Sequence, residues 1–432
     1  MKKILIIGSL LILNSQIKSQ ETIYPVKKQT ESIYITNASI HIGDGNKLEN
    51  GTIKIKNGKI EEVGADIIIE KENAKIFDAK GKQVYPGLIL PMSTLGLQEI
   101  IGIRSMQDFN ELGEWNSNVR SIAAYNADSK IINTLRSNGI LLAHTAPQGS
   151  LIGGLSSVVQ LDAWNQEDAG YKTDIGINFY MPSMVSRPMG RGFGMGNQTG
   201  DPVKEALNKI EEVKNFFREA KSYIESNPIK KNLKLEATRN LFNRKAKLFI
   251  HCDQVKQILL TIDFVREFNF DVVIVGGSES WQVADLLKQN NIAVILSQLL
   301  ELPEVEDDDI DQTFKVPAVL EKAGVLFCIN DDDSQNRGRN LAFNAGTAAT
   351  YGLDKEKSIS SITFNTAKIL GIEDRTGSIK VGKDANIIIT EGDILDMKNS
   401  NVIKAYIQGR EIELNDKHKQ LYERYKYKYV IK

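Results

Sequence analysis

Short apolar runs alternate with amphipathic segments through the second half of the chain. The run Leu248-Phe249-Ile250 is followed by a segment with apolar residues at helical spacing and then by a second apolar run. The unit recurs, and the predicted strands of the whole series cover residues 140–143, 157–161, 248–250, 271–275, 292–296 and 325–329. Continuously apolar strands that alternate with amphipathic helices indicate a parallel sheet covered by helices. This pattern predicts an α/β fold built around a barrel.

The two ends of the chain show a different pattern, which is typical of a small antiparallel sheet. The predicted strands cover residues 32–35, 39–42, 52–56, 385–390 and 402–407. Residues 52–56 alternate apolar and polar side chains and precede Asn57-Gly58, which is a strong signal for a hairpin turn. We therefore predict a (β/α) barrel flanked by a small sheet to which both chain ends contribute.

These patterns divide the chain into four parts. They are a signal peptide at 1–20, a composite β domain from 21–87 and 373–414, a barrel at 88–372 with an insertion near 181–240, and a C-terminal tail at 415–432. The insertion combines a loop rich in Gly, Met and Arg at 181–200 with a charged helix at 201–227. In the tail, residues 425–429 alternate Tyr and Lys, and we expect them to form a terminal edge strand.

The balance of charged residues argues against nucleic-acid and membrane partners, and the first twenty residues suggest export. The chain has 54 Lys and Arg against 55 Asp and Glu, so no net field attracts nucleic acid or an anionic membrane. Lys2-Lys3 precede an apolar run from Ile4 to Leu13, which is too short to span a bilayer and is typical of a secretory signal. We expect cleavage near Ser19 or Gln20, export to the periplasm or the extracellular space, and no membrane span.

Candidate chemistry lies at the ends of the predicted barrel strands, because the loops there form the mouth of such a barrel. His251 follows one strand and can serve as a metal ligand or a general base, or can be a hydrogen-bonded residue of a packed mouth. Asp331, Asp332 and Asp333 follow another strand, where a carboxylate can hold a metal or take a proton from water. A solvated acidic loop is the alternative there.

The stretch from Val84 to Leu95 predicts a barrel strand that begins after the turn Pro86-Gly87. Residues two apart on a strand point the same way, so Met92 and Thr94 would both face the mouth. Two histidines at this spacing would make a strong metal site, whereas a thioether and a hydroxyl do not.

Three segments together resemble the amidohydrolase superfamily, especially its imidazolonepropionase-like branch. They are Val84-Tyr85-Pro86-Gly87-Leu88-Ile89 near the N-terminus and residues 363–371 and 377–385 near the C-terminus. The resemblance covers nearly the whole chain after the predicted signal peptide. It implies a (β/α)8 TIM-like barrel with a small composite β-sandwich from both chain ends, and metal-dependent hydrolysis of carbon–nitrogen bonds.

The resemblance also assigns the metal ligands, position by position. The first-strand histidine pair of the family falls on Met92 and Thr94, and the sixth-strand histidine falls on Gly276. The fifth-strand histidine matches His251, and the last-strand aspartate matches Asp332, or Asp331 if the register slips by one. Because a catalytic zinc takes about three protein ligands, this implies a degenerate metal site.

Two hypotheses follow. The first is an exported amidohydrolase-like protein with weakened or lost hydrolase activity, which acts as a binding or partner subunit and needs no cofactor. The second is an active hydrolase of cyclic amides or related non-peptide bonds, with a divalent metal such as zinc held by His251 and Asp332. In it Asp332 activates water and His251 is a metal ligand or acid. The expected partners are a small-molecule ligand, a second copy of the chain or a paired amidohydrolase subunit, and not nucleic acid.

Overall fold

In a computed structural model of the protein, the structure describes residues 24–100, 102–184, 201–302, 307–331 and 337–430. Three of the sequence predictions lie outside these residues. They are the signal peptide at 1–20, most of the predicted loop at 181–200, and Asp332 with its neighbour Asp333.

Eight strands in sequence order form the barrel sheet. They are β6 (Leu88–Ser93), β7 (Ile140–Thr145), β8 (Ile152–Gln160), β9 (Gly170–Tyr180), β10 (Lys247–Cys252), β11 (Val272–Gly276), β12 (Ala293–Leu296) and β13 (Phe327–Ile329). Beyond β13, the Asn330 side chain accepts a hydrogen bond from Met92 N–H of β6 at 3.3 Å, which links the two edges of the sheet. The predicted TIM-like barrel is therefore confirmed.

One strand of the barrel departs from the predicted parallel pattern. The strand predicted at 157–161 is the end of β8, and β8 runs antiparallel to both β7 and β9. Parallel neighbours need a crossover of a dozen or more residues. Only residues 146–151 and 161–169 connect β8 to its neighbours, and the single short helix within them, Gln166–Ala169, is not a crossover helix.

Helices cover the barrel and lie in the connections between its strands. They are α1 (Ser121–Ala124), α2 (Lys130–Ser137), α3 (Gln166–Ala169), α4 (Pro202–Ser226), α5 (Leu233–Glu236), α6 (Arg239–Phe242), α7 (Val255–Phe268), α8 (Ala284–Gln289), α9 (Gln312–Ala323), α10 (Leu341–Thr350), α11 (Lys355–Ser361), α12 (Phe364–Leu370) and α13 (Lys417–Tyr429). Short 3-10 turns cover Arg104–Met106, Ser280–Val283 and Arg337–Asn340. Among the described residues, none of these helices has the length and apolar character needed to cross a membrane.

The charged helix predicted at 201–227 is α4. It begins at Asp201, whose side chain accepts a hydrogen bond from Val203 N–H at 3.0 Å, and Pro202 occupies its first turn, where a missing N–H costs nothing. Its buried residues repeat at helical spacing, and Phe217 packs edge-on against Phe264 of α7 at 6.3 Å. The helix therefore joins the hydrophobic core of the barrel through one face and leaves its charged face in solvent.

Both chain ends combine in a second sheet, as predicted, but the sheet is mixed and not purely antiparallel, because its first strand pairs in parallel with the fourth and the fifth. Its strands are β1 (Ser32–His41), β2 (Lys47–Lys56), β3 (Lys59–Gly64), β4 (Ala74–Asp78), β5 (Gln83–Pro86), β14 (Ile387–Thr390), β15 (Val402–Ile407) and β16 (Arg410–Glu411). The hairpin predicted at Asn57-Gly58 joins β2 to β3. The two strands predicted at 32–35 and 39–42 are the single strand β1, because Asn37 takes a positive φ of 52° and bends the strand without ending it.

A buried ionic cluster joins this sheet to the barrel. Asp162, which follows β8, lies 3.0 Å from Arg136 of α2 and 3.0 Å from Arg410 of β16, and the side chains are 1%, 5% and 10% exposed. Burial raises the pKa of the Asp162 carboxyl despite the two guanidinium groups. The two ion pairs of Asp162 link elements that are distant in sequence.

The terminal edge strand predicted at 425–429 is wrong. These residues belong to α13, which begins at Asp416, where the carboxylate accepts a hydrogen bond from Lys419 N–H at 2.9 Å. Tyr425 and Tyr429 stack one helical turn apart with ring centroids 6.3 Å from each other. The alternation of Tyr and Lys spans only five residues, which is too short a pattern to outweigh the capped helix that contains it.

Candidate functional site

The strands of the barrel end at one level, and this level defines the mouth. Tyr180 at the end of β9 pairs with His251 of β10, and Cys252 pairs with Gly276 at the end of β11. Gly276 in turn pairs with Leu296 at the end of β12. Parallel neighbours in register thus bring side chains from separate parts of the chain together, as the sequence predicted for His251 and Gly276.

His251 is partly exposed and is held on two sides. Its Nε2 lies 3.0 Å from Asn178 Oδ1, and its ring stacks on Tyr180 with centroids 4.0 Å apart. Burial, together with a smaller effect of the nearby His144, lowers the pKa of His251 to about 3. The imidazole is therefore neutral at physiological pH, and an edge of the ring remains accessible.

A second histidine lies inside the barrel. His144 of β7 is fully buried, and its Nδ1 donates a hydrogen bond to the Pro91 carbonyl oxygen at 2.7 Å. Its Nε2 has no hydrogen-bond partner in the part of the chain that the structure describes. Burial lowers the pKa of His144 to about 4. Two neutral imidazoles therefore lie in the same region of the barrel, close enough to influence each other electrostatically.

Met92 and Thr94 lie at the end of β6, as predicted, and both are buried. Their side chains offer a thioether and a hydroxyl. Zinc prefers imidazole, thiolate or carboxylate ligands to both of these groups. The first strand therefore contributes no strong zinc ligand.

The backbone and the neighbouring atoms at position 276 favour glycine. It has a φ of +104°, in the range that glycine adopts readily and other residues do not. A Cβ here would lie 3.0 Å from both Asp253 Cγ and the Cys252 carbonyl oxygen, and closer still to Asp253 Oδ1. The Asp253 carboxylate thus lies where a side chain at position 276 would begin.

A cavity of about 170 Å³ opens beside Gly276. Polar residues of its lining include Asp253, Ser278, Ser297 and Gln298, and Leu296 contributes to an apolar wall. The Ser278 hydroxyl is buried and has no hydrogen-bond partner among the described residues. The mouth therefore keeps room for a small group next to the position where the sixth-strand histidine was expected.

Of the acidic residues after β13, Asp331 is buried and accepts a hydrogen bond from Asn344 Nδ2 of α10 at 3.0 Å. Asp332 lies outside the described residues. The roles predicted for Asp332 and His251, and the register between Asp331 and Asp332, therefore stay predictions.

The residues that the structure describes do not fit a zinc ion. Within the ranges from 24 to 430 given above, no group of three His, Cys, Asp or Glu side chains is arranged to hold a metal. His251 remains as a nitrogen donor, but the predicted partner positions carry Met92, Thr94 and Gly276.

Three residues of the mouth were missed by the sequence prediction. They are His144 on β7, and Asn178 and Tyr180 on β9. Strand β9 could have been found, because apolar Ile175, Ile177 and Phe179 alternate with other residues at the period of a strand. With β9 in place, Asn178 and Tyr180 would have been assigned to the face opposite these three residues.

Comparison with known proteins agrees with the fold. A model of the amidohydrolase family matches residues 251–412. The 5'-deoxyadenosine deaminase of Methanobrevibacter smithii is 22% identical over 396 residues, which cover 82% of this chain and 81% of the relative. The imidazolonepropionase of Thermoplasma volcanium is 22% identical over 377 residues, which cover 82% of this chain and 88% of the relative.

A solved structure agrees as well. The crystal structure of an amidohydrolase from Thermotoga maritima matches with a TM-score of 0.76 and 25% identity, and the match covers 88% of this chain and 99% of that one. The family match over residues 251–412, the barrel with its second sheet and this structural likeness together support the amidohydrolase superfamily as the family of this chain.

Proposed function

We propose that this protein is an exported amidohydrolase-fold protein whose metal-dependent hydrolysis of carbon–nitrogen bonds is weakened or lost, and that it acts as a binding or partner subunit. The observation that carries the proposal is the set of residues at the expected metal positions. Met92 and Thr94 are buried at the first strand, and position 276 at the sixth strand is a glycine whose positive φ and contact with Asp253 disfavour a side chain.

A binding role is supported by the mouth itself. The cavity beside Gly276 has about 170 Å³, enough for a small polar group, and hydroxyl and amide side chains of Ser278, Ser297 and Gln298 contribute to its lining. On the adjacent strand β10, His251 adds a neutral imidazole to the mouth. Such a surface, which the carboxylates of Asp253 and Glu301 also line, can bind a small polar ligand without carrying out hydrolysis.

An assay of hydrolysis tests this proposal. The purified full chain is incubated with cyclic amides, ureas, 5'-deoxyadenosine and imidazolonepropionate, with and without added Zn²⁺ or Fe²⁺. The proposal expects no turnover above that of the His251→Ala variant. Turnover that His251→Ala abolishes would overturn it.

The alternative is an active hydrolase of cyclic amides or related bonds. It is supported by the position of His251 at the mouth and by the similarity to a deaminase and an imidazolonepropionase. In this alternative Asp332 is the base that activates water. The low pKa of His251 favours its role as a ligand over that of an acid, since the remaining N–H of a neutral imidazole is not acidic near neutral pH. Turnover that survives both Asp332→Asn and His251→Ala would rule out these roles.

Export is part of the proposal and rests on the first twenty residues. When the full chain is expressed in a bacterial host, we expect it in the periplasmic fraction with an N-terminus near Ser19 or Gln20. N-terminal sequencing of the purified protein measures this. A cytoplasmic product that retains Met1 to Leu13 would contradict it.

A further inference from the structure

The environment of His251 determines which of its two ring nitrogens carries the proton. Its Nε2 lies 3.0 Å from Asn178 Oδ1, and the same Asn178 places its Nδ2 3.2 Å from the carbonyl oxygen of Gly154. An amide nitrogen donates and an amide oxygen accepts. Reversing the amide would set its oxygen against the Gly154 carbonyl, so the hydrogen bond to Gly154 fixes Oδ1 toward His251.

Because Asn178 Oδ1 only accepts hydrogen bonds, His251 Nε2 must carry the proton. A neutral imidazole has one protonated nitrogen, so the other nitrogen, Nδ1, carries an unshared pair. Nδ1 makes no hydrogen bond to a described residue, and His251 is partly exposed. Asn178 itself is fully buried, so water cannot easily replace it as the partner of Nε2.

Tyr180 holds the ring from its face without affecting the proton. Its ring stacks on His251 with centroids 4.0 Å apart, and its hydroxyl donates a hydrogen bond to the Pro147 carbonyl oxygen at 2.7 Å. The plane of the imidazole is thereby fixed by stacking, and its proton by Asn178.

His144 provides an internal contrast. Its Nδ1 donates to the Pro91 carbonyl oxygen at 2.7 Å, so its proton is on Nδ1 and its Nε2 carries the unshared pair. The two neighbouring histidines are therefore expected in opposite tautomers.

We infer that Asn178 is a positioning residue that holds His251 as the Nε2–H tautomer, so that Nδ1 is the atom that His251 presents to a ligand. The importance of this for binding rests on the function proposed above, but the tautomer does not. A nitrogen with an unshared pair accepts a hydrogen bond, so the ligand class that fits carries an N–H or O–H donor at this point. An anionic oxygen is itself an acceptor, so it cannot hydrogen-bond to the unshared pair of Nδ1 and is disfavoured.

Nuclear magnetic resonance measures the tautomer directly. The full chain is labelled with ¹⁵N-histidine, which gives signals from only four histidines. Two-bond ¹H–¹⁵N correlations at neutral pH distinguish a protonated from an unprotonated ring nitrogen, and a His251→Ala spectrum assigns the signals. We expect His251 with the proton on Nε2 and His144 with the proton on Nδ1.

Variants separate the hydrogen bond from the stacking. In Asn178→Leu the two His251 nitrogen signals should move toward each other as both tautomers become populated, whereas the His144 signals stay in place. Asn178→Asp keeps an acceptor and should keep Nε2 protonated, which covers the case that Asn178→Leu does not fold. Tyr180→Phe is the matched control and should leave the tautomer unchanged.

Two results would overturn the inference. One is a wild-type His251 protonated on Nδ1 or on both nitrogens at neutral pH. The other is an Asn178→Leu spectrum in which the His251 signals keep their wild-type positions. Because the measurement needs neither ligand nor turnover, its failure is distinct from a failure of the proposed function.

Discussion

At the scale of single residues, the contacts and the backbone conformation of Gly276 disfavour any side chain at this position. Its positive φ strains any other residue, and the Asp253 carboxylate occupies the space that a Cβ would need. The local backbone and the neighbouring loop therefore both favour glycine at position 276.

The prediction for this residue compares two glycines. Gly276→Ala should lower the free energy of unfolding by about 2–5 kcal/mol, because overpacking adds to the cost of a positive φ. Gly81→Ala is the control, since Gly81 has a φ of +79° but no atom within 4 Å of its Cβ position, and it should cost only about 1–2 kcal/mol. Urea unfolding of both variants measures this, and equal costs would show that Asp253 does not crowd position 276.

His144 gives a pH-dependent prediction. Burial lowers its folded pKa to about 4, against about 6.5 in the unfolded chain, so the unfolded state binds more protons between these values. Its contribution should therefore lower the free energy of unfolding as the pH falls from 6.5 to about 4, by at most about 3 kcal/mol.

The His144→Asn variant isolates this contribution, because an Asn side chain can keep a donor to the Pro91 carbonyl. Stability is measured by urea unfolding at several pH values, and the difference between the wild type and the variant is compared. The wild type should lose more stability than the variant across this range. His251, whose pKa is lowered in the same direction, leaves a slope in both. Parallel curves would contradict the assignment to His144.

At the scale of elements, the sequence predicted best those strands and helices whose apolar residues repeat regularly. Strand β10 and helix α7 follow such patterns and were predicted. Strand β9 was missed, and with it Asn178 and Tyr180. The direction of β8 was not predictable from apolar runs, because a run shows burial on both faces but not which way the strand points.

The link between the two sheets is a prediction at this scale. Asp162→Asn should lower the free energy of unfolding by about 3–5 kcal/mol, since it leaves the buried Arg136 and Arg410 without a counter-charge. The matched control is Glu114→Gln, which removes an exposed ion pair with Lys209 and should cost less than about 1 kcal/mol. Urea unfolding of both measures this, and a similar small cost in both would show that the ionic cluster does not hold the sheets together.

At the scale of the whole molecule, the fold was largely predictable and the site only in part. Apolar strands and turn signals such as Asn57-Gly58 depend on local sequence, so the barrel and the second sheet could be predicted. The tautomer of His251 depends on Asn178, 73 residues away, and the space at Gly276 depends on Asp253. Such contacts between distant strands follow from register, which the residues alone do not specify.

The central proposal is that this chain combines the amidohydrolase fold with an incomplete metal site, and the metal content of the purified full chain tests it most directly. The protein is prepared with zinc and iron in the medium, passed through a desalting column and analysed by mass spectrometry of its metals, together with His251→Ala. The account predicts well below one metal ion per chain in both proteins. One zinc or iron ion per chain in the wild type, lost in His251→Ala, would contradict it.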